Sequence, residues 1–232
     1  MSDDADPLER LASERGQPET RVEFHAQLAE LENRLIEIAE QVAAAITPVT
    51  EAFLDADRYG ADEWVARDHQ LTEACRRQED ACYELLARQS PVAGDLRRIV
   101  ATLRCTGDVQ RSGNLLGHVA SSLTWVHPPQ LSDELRRIIR ELGSVVSTVC
   151  HNAVQAWRDT DSLAAVELQD ADDQVDLLQK ALLTELYTGE CSVEEAVSLA
   201  LIARYYERIA DHGVELARAV TYAVTGQRLT DA

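Results

Sequence analysis

Residues 192–226 read SVEEAVSLALIARYYERIADHGVELARAVTYAVTG, and this stretch decides the fold class. Ser192 followed three residues on by Glu195 is the pattern of a capping box, in which each residue satisfies the other's free backbone N–H at a helix start. Gly226 suits the end, because glycine tolerates the left-handed backbone that closes many helices. Between them Ile202, Tyr206, Ile209, Gly213, Leu216 and Val220 recur at helical spacing and draw one apolar stripe. Arg204, Glu207, Arg208, Asp211 and Glu215 draw a second, charged stripe. Glu207 and Asp211 therefore project the same way, one turn apart.

Working outward, the same periodicity fills the chain. Phe24, Leu28, Leu31, Leu35, Ile38, Val42 and Ala45 mark a first long helix from Arg21, which Pro48 kinks or ends. Tyr59-Gly60 marks the next break. A second helix is expected over 61–88. Ser90-Pro91 reads as a cap and a first-turn proline for a third helix reaching Trp125, and His127-Pro128-Pro129 stops it. The second half repeats the plan: a helix over 132–157, one over 161–187 closed by a left-handed Gly189, and the stretch quoted above. Strand signals are nearly absent. The expected architecture is all-α, two tandem antiparallel three-helix bundles produced by internal duplication. Residues 1–19 form an acidic tail, 20–127 the first bundle, 128–226 the second, and 227–232 a second tail. The third helices of the halves align, Gln110-Arg111 with Glu207-Arg208 and Asn114 with Asp211.

The chain carries 41 acidic against 22 basic residues, a net charge of −19. Such a surface repels nucleic acid, whose binding needs a basic footprint, and suits cations or a basic patch on a partner. Five cysteines, an odd count without CxxC, indicate free thiols in a reducing compartment. No apolar run approaches the roughly 20 residues of a membrane span. The start, MSDDADPLER, lacks the basic and apolar regions of a signal peptide. The expectation is a cytoplasmic protein that meets a membrane only through partners.

Asp172 and Asp176 repeat the one-turn spacing of Glu207 and Asp211 on the preceding helix. Like charges at this spacing repel by a few tenths of a kcal/mol on an exposed helix, and a bound cation reverses that sign. Oxygen-only donors suit hard or borderline cations. In so acidic a chain the spacing alone also fits a solvated face paired with Arg204 and Arg208. No P-loop, GxGxxG, GxSxG or zinc-type histidine spacing occurs.

Four segments resemble the PhoU family: RVEFHAQLAELENRLIEIAEQV, SPVAGDLRRIVATLRCTGDVQRSGN, DADDQVDLLQ and ARYYERIADHGVELA. The resemblance covers roughly residues 20–226. It implies two three-helix bundles, each able to hold a metal cluster through ExxxD or DxxxD pairs. It also implies a regulatory role in phosphate uptake and phosphate signalling, through a phosphate ABC transporter ATPase and a sensor histidine kinase. A homodimer is expected. Carried over residue by residue, the second site is complete: Asp172, Asp176, Glu207 and Asp211, with Asp173, Arg204, Arg208 and His212 as supporting groups. The cation would be Fe, Mn, Mg or Zn. The first site is eroded. Asp68 matches, but Thr72, Gln110 and Asn114 replace three anionic ligands, and Asp95 and Asp108 lie near enough in sequence to compensate. Losing three charges weakens a hard-cation site strongly.

Two other readings compete with a non-enzymatic metal-binding regulator. One is a metal-free helical adaptor acting on another transporter. The other is a carboxylate-bridged metalloenzyme, disfavoured because Glu207 is not followed by the histidine of the ExxH pair that di-iron bundles use.

Overall fold

The computed structural model describes residues 18–125, 131–189 and 191–228. Among the described residues seven helices follow in order: α1 Pro18–Leu54, α2 Arg58–Gln89, α3 Ala93–Trp125, α4 Asp133–Asp159, the single turn α5 Ala164–Glu167, α6 Gln169–Thr188 and α7 Val193–Thr225. No strand occurs among the described residues. The expected acidic N-terminal tail up to residue 17, the break at 127–129 and the last four residues fall outside those described.

Local chemistry explains where the helices differ from expectation. Pro48 neither ends α1 nor marks its boundary; the helix continues through it to Leu54. Its neighbours Ile46 and Val49 are buried against other helices, and that packing holds the turn which proline alone would loosen. The α1–α2 break falls at 55–57. Asp57 caps α2 by accepting from the backbone N–H groups of Tyr59 and Gly60, so those two belong to the first turn. Ser90 closes α2 in the left-handed region at φ 44°, and α3 starts two residues after Pro91. Gly189 is extended rather than left-handed, with φ −83°. The expected single helix over 161–187 is broken at Leu168, leaving α5 as a separate turn. Residues 192–226 behave as read: Ser192 and Glu195 form both bonds of the capping box, and Gly226 closes α7 at φ 78°.

In each half the middle long helix, α2 or α6, packs on both its neighbours. Between the halves, α1 lies against α4 and α3 against α7. The four helices α1, α3, α7 and α4 thus enclose the centre, with α2 and α6 on the outside. The halves share their core. One apolar cluster takes Ile46 from α1, Leu116 from α3, Ile139 from α4, Leu182 from α6 and Ile202 from α7. At its centre the fully buried Tyr206 hydroxyl lies 2.6 Å from Thr50 Oγ1, which donates to Ile46 O at 2.7 Å. Gly143 makes room there: a Cβ on it would stand 2.5 Å from Thr50 Oγ1. Polar contacts flank the α1–α4 seam, with Arg158 and His151 both on Glu40, and Arg140 on Glu51 at 2.9 Å.

Candidate metal centre

α6 packs against α7, and the charge of Asp211 acts on Asp172 and that of Asp176 on Glu207 across the two helices. Asp172 and Asp170 sit in the first turn of α6, where free N–H groups favour negative charge. Asp172, Glu207 and Asp211 are half-buried; Asp176 is exposed and lies 3.9 Å from Lys180. Arg204 pairs with Glu207 Oε1. The other oxygen, Glu207 Oε2, is buried without a hydrogen-bond partner.

Their charges feel one another. Burial pushes the Asp172 carboxyl above its ordinary range, and the charges of Asp211 and Asp176 add to the rise. Burial and then Asp211 raise Glu207 against the opposing pull of Arg204. Burial raises Asp211 too, over the opposition of Arg208 and Arg204. Ionised at neutral pH, the cluster is an electrostatic burden on the fold that a cation would relieve. Among the described residues no group of three or more His, Cys, Asp or Glu side chains is placed so that it could hold a metal ion. By donor chemistry alone, the oxygen ligands and the unpartnered Glu207 oxygen suit a hard cation, but the side chains as placed do not converge on one. Asp172, Asp176, Glu207 and Asp211 would hold it, and the ion would supply charge neutralisation between two helices. Exposed Asp173 stands beside this face, and Arg204 and Arg208 lie within electrostatic reach of it.

His212 is turned elsewhere. It is buried and sits 3.3 Å from Asp108 Oδ1, bridging α7 to α3 across the seam. The same oxygen accepts from Arg111 at 2.6 Å. Burial would raise Asp108, but the bonds from His212 and Arg111 outweigh it and hold the carboxyl below its usual range. Asp108 therefore serves the seam, and Asp95 lies by His25, 3.4 Å away.

In the first half, Asp68 is half-buried on α2, with Oδ1 buried and unpartnered. Burial raises its pKa against the charges of His69 and His118. Gly113 and Gly117 of α3 give it space: a Cβ on Gly117 would stand 3.6 Å from Asp68 Oδ2. Thr72 and Gln110 are half-buried and Asn114 is exposed. Asp68 is thus the one anionic position of the carried-over first set. A cleft of about 690 Å³ between α1 and α2 beside Pro48 contains none of the predicted ligands.

The arrangement defines a class: a duplicated all-helical bundle whose outer helix in each half packs against the last helix of that half, with carboxylates one turn apart on both helices of the second half. The PhoU domain profile matches residues 35–123 and 139–220, and the chain belongs to the PhoU family. It is 38% identical over 210 residues to phosphate-specific transport system accessory protein PhoU homolog 1 of Mycobacterium tuberculosis, covering 89% of this chain and 95% of that one. To PhoU homolog 2 of the same organism it is 35% identical over 209 residues, covering 89% and 98%. The crystal structure of PhoU from Pseudomonas aeruginosa superposes with a TM-score of 0.82 at 27% identity, covering 88% of this chain and all of that one. The fold expected from the sequence, tandem helical bundles, is the fold of these relatives. No helix among the described residues is long and apolar enough to cross a membrane.

Proposed function

We propose that this chain is a non-enzymatic, metal-binding regulator of phosphate uptake and phosphate-responsive signalling. It acts by contact with the ATPase of a phosphate transporter, with its sensor histidine kinase, or with both, on the cytoplasmic side of the membrane and as a homodimer. The names of its relatives, accessory proteins of phosphate-specific transport, support the pathway. One observation supports the metal reading: the charges of Asp172, Asp176, Glu207 and Asp211 act on one another across α6 and α7, and one buried Glu207 oxygen has no partner. The ion, of the Fe, Mn, Mg or Zn class, braces those two helices and sets the charge that a partner meets. The neutral Thr72, Gln110 and Asn114 in the first half support a second reading, a metal-free adaptor that kept the fold.

Metal bound only by the folded site adds to folding stability. Chelation should therefore lower the melting temperature of the native protein and leave that of an Asp211→Ala, Glu207→Ala variant unchanged. Equal shifts in both proteins would refute the assigned ligands. Co-purification with the transporter ATPase or the sensor kinase tests the partner; capture of neither would remove the signalling role.

A further inference from the structure

The seam between α3 and α7 gathers positive charge in a chain whose net charge is −19. The helices run antiparallel there. Asp108 meets His212 partway along, and the Arg97 guanidinium lies at the α7 terminus, 3.4 Å from where a Cβ on Gly226 would stand. Between these contacts a cleft of about 100 Å³ is lined by Arg104, Asp108, Glu215, Arg218, Tyr222 and Arg228. That volume suits one tetrahedral oxyanion.

The charges in the cleft are unequal in what they already hold. Arg218 is engaged with Glu215 at 2.7 Å, so that pair is locally neutral. The Arg228 guanidinium lies over the Tyr222 ring, 5.3 Å from its centre, which positions it without neutralising it. Arg104 and Arg228 form no ion pair among the described residues, although most arginines of the chain do. Arg97, beyond the rim, has a buried Nε without a hydrogen-bond partner. Guanidinium groups match tetrahedral oxyanions through paired N–H donors.

A carboxylate in the same cleft sharpens the choice of anion. Asp108 uses Oδ1 for both His212 and Arg111, and its Oδ2 has no hydrogen bond among the described residues. A carboxylate oxygen can only accept. Phosphate retains a proton at neutral pH and can donate it; sulfate has none and meets the carboxylate as a like charge. We propose that this cleft binds inorganic phosphate, with Arg104 and Arg228 supplying donors and charge and Asp108 Oδ2 accepting the phosphate hydroxyl. The site bridges the two halves, so its occupancy ties α3 to α7. It stands on Arg104 and Arg228 and shares none of its proposed ligands with the carboxylate face between α6 and α7, which feels the charge of Arg218 at its edge.

Isothermal titration of the metal-stripped full chain with sodium phosphate, sodium sulfate and glycerol phosphate, at matched ionic strength, tests it. The expected result is saturable binding of one phosphate per chain. Arg104→Gln with Arg228→Gln should weaken it by at least about tenfold, as expected for losing charge-assisted hydrogen bonds. Sulfate should bind at least about tenfold more weakly than phosphate, and Asp108→Asn should narrow that gap. Both arginines are exposed, so the double variant should fold, and it carries the test if Asp108→Asn does not. No saturable phosphate binding, equal affinity in the arginine variant, or sulfate binding as well as phosphate in the unaltered chain would each overturn the proposal. Binding of glycerol phosphate without binding of phosphate would overturn the assignment to the free ion. Because the protein is stripped of metal, failure here leaves the metal reading untouched, and the chelation experiment fails or succeeds separately.

Discussion

The Thr50–Tyr206 contact yields a prediction whose sign depends on one proton. Thr50 Oγ1 donates its only hydrogen to Ile46 O at 2.7 Å, so the 2.6 Å contact is made by Tyr206 donating to Thr50. Tyr206→Phe removes that donor and leaves Thr50 with its other bond intact, a loss of about 1 kcal/mol. In a chain of this length that is a melting-temperature fall of about 2–4 °C. Thr50→Val is the harsher change despite its similar volume, because it leaves a fully buried phenol O–H without an acceptor, costing about 1–3 kcal/mol. The double variant removes both groups and should cost little more than Tyr206→Phe alone, a coupling that a double-mutant cycle measures. Chemical and thermal denaturation of the four proteins is the assay. Additive losses, or Tyr206→Phe costing more than Thr50→Val, would refute the assigned direction of the bond and its role in joining α1 to α7.

The raised carboxyls predict a pH dependence. A folded pKa above the unfolded value means the ionised group opposes folding, fully at neutral pH and not at all once pH falls below the ordinary carboxylate range. Glu207→Gln should therefore stabilise the metal-stripped protein at neutral pH, with the gain vanishing as the medium is acidified through the raised Glu207 pKa; the exposed contact with Arg204 returns little of it. Melting curves across pH check this, and a gain that grows on acidification would contradict it. Gly113→Ala places a Cβ 2.2 Å from Leu71 Cδ2 in packed core and should destabilise by about 1–3 kcal/mol, partly recovered by also shortening Leu71. Restoring anions in the first half with Thr72→Asp, Gln110→Glu and Asn114→Asp beside Asp68 should lower the melting temperature of the stripped protein. Added divalent cation should then raise it more than in the unaltered chain, read by thermal shift with and without metal.

Much of this was legible before any coordinates. The 192–226 helix announced both its ends through residues whose partners lie within four positions, and local signals of that kind survive folding unchanged. The one-turn spacing of Asp172 and Asp176, and of Glu207 and Asp211, was legible from the helical repeat, and their joining into one set came from the family resemblance; the structure couples their charges without gathering three of them around an ion. Pro48 misled because its backbone preference is overridden by burial on either side of it. The break at Leu168 carries neither glycine nor proline, so no local mark gave it away. His212 was read as a supporting group of the carboxylate site, but its partner Asp108 is far off in sequence and is brought near only by the α3–α7 seam. The arginine cleft is hidden for the same reason: Arg104 and Arg228 sit in opposite halves and meet no spacing rule.

The central claim is that carboxylates at 172, 176, 207 and 211 jointly bind an ion. Elemental analysis of the native chain, purified without a metal-binding tag, tests it most directly when run beside the Glu207→Gln, Asp211→Asn variant. The account predicts a stoichiometric metal in the first protein and its loss in the second. Metal-free native protein that also fails to take up Fe, Mn, Mg or Zn on titration, or equal metal in both proteins, would contradict it.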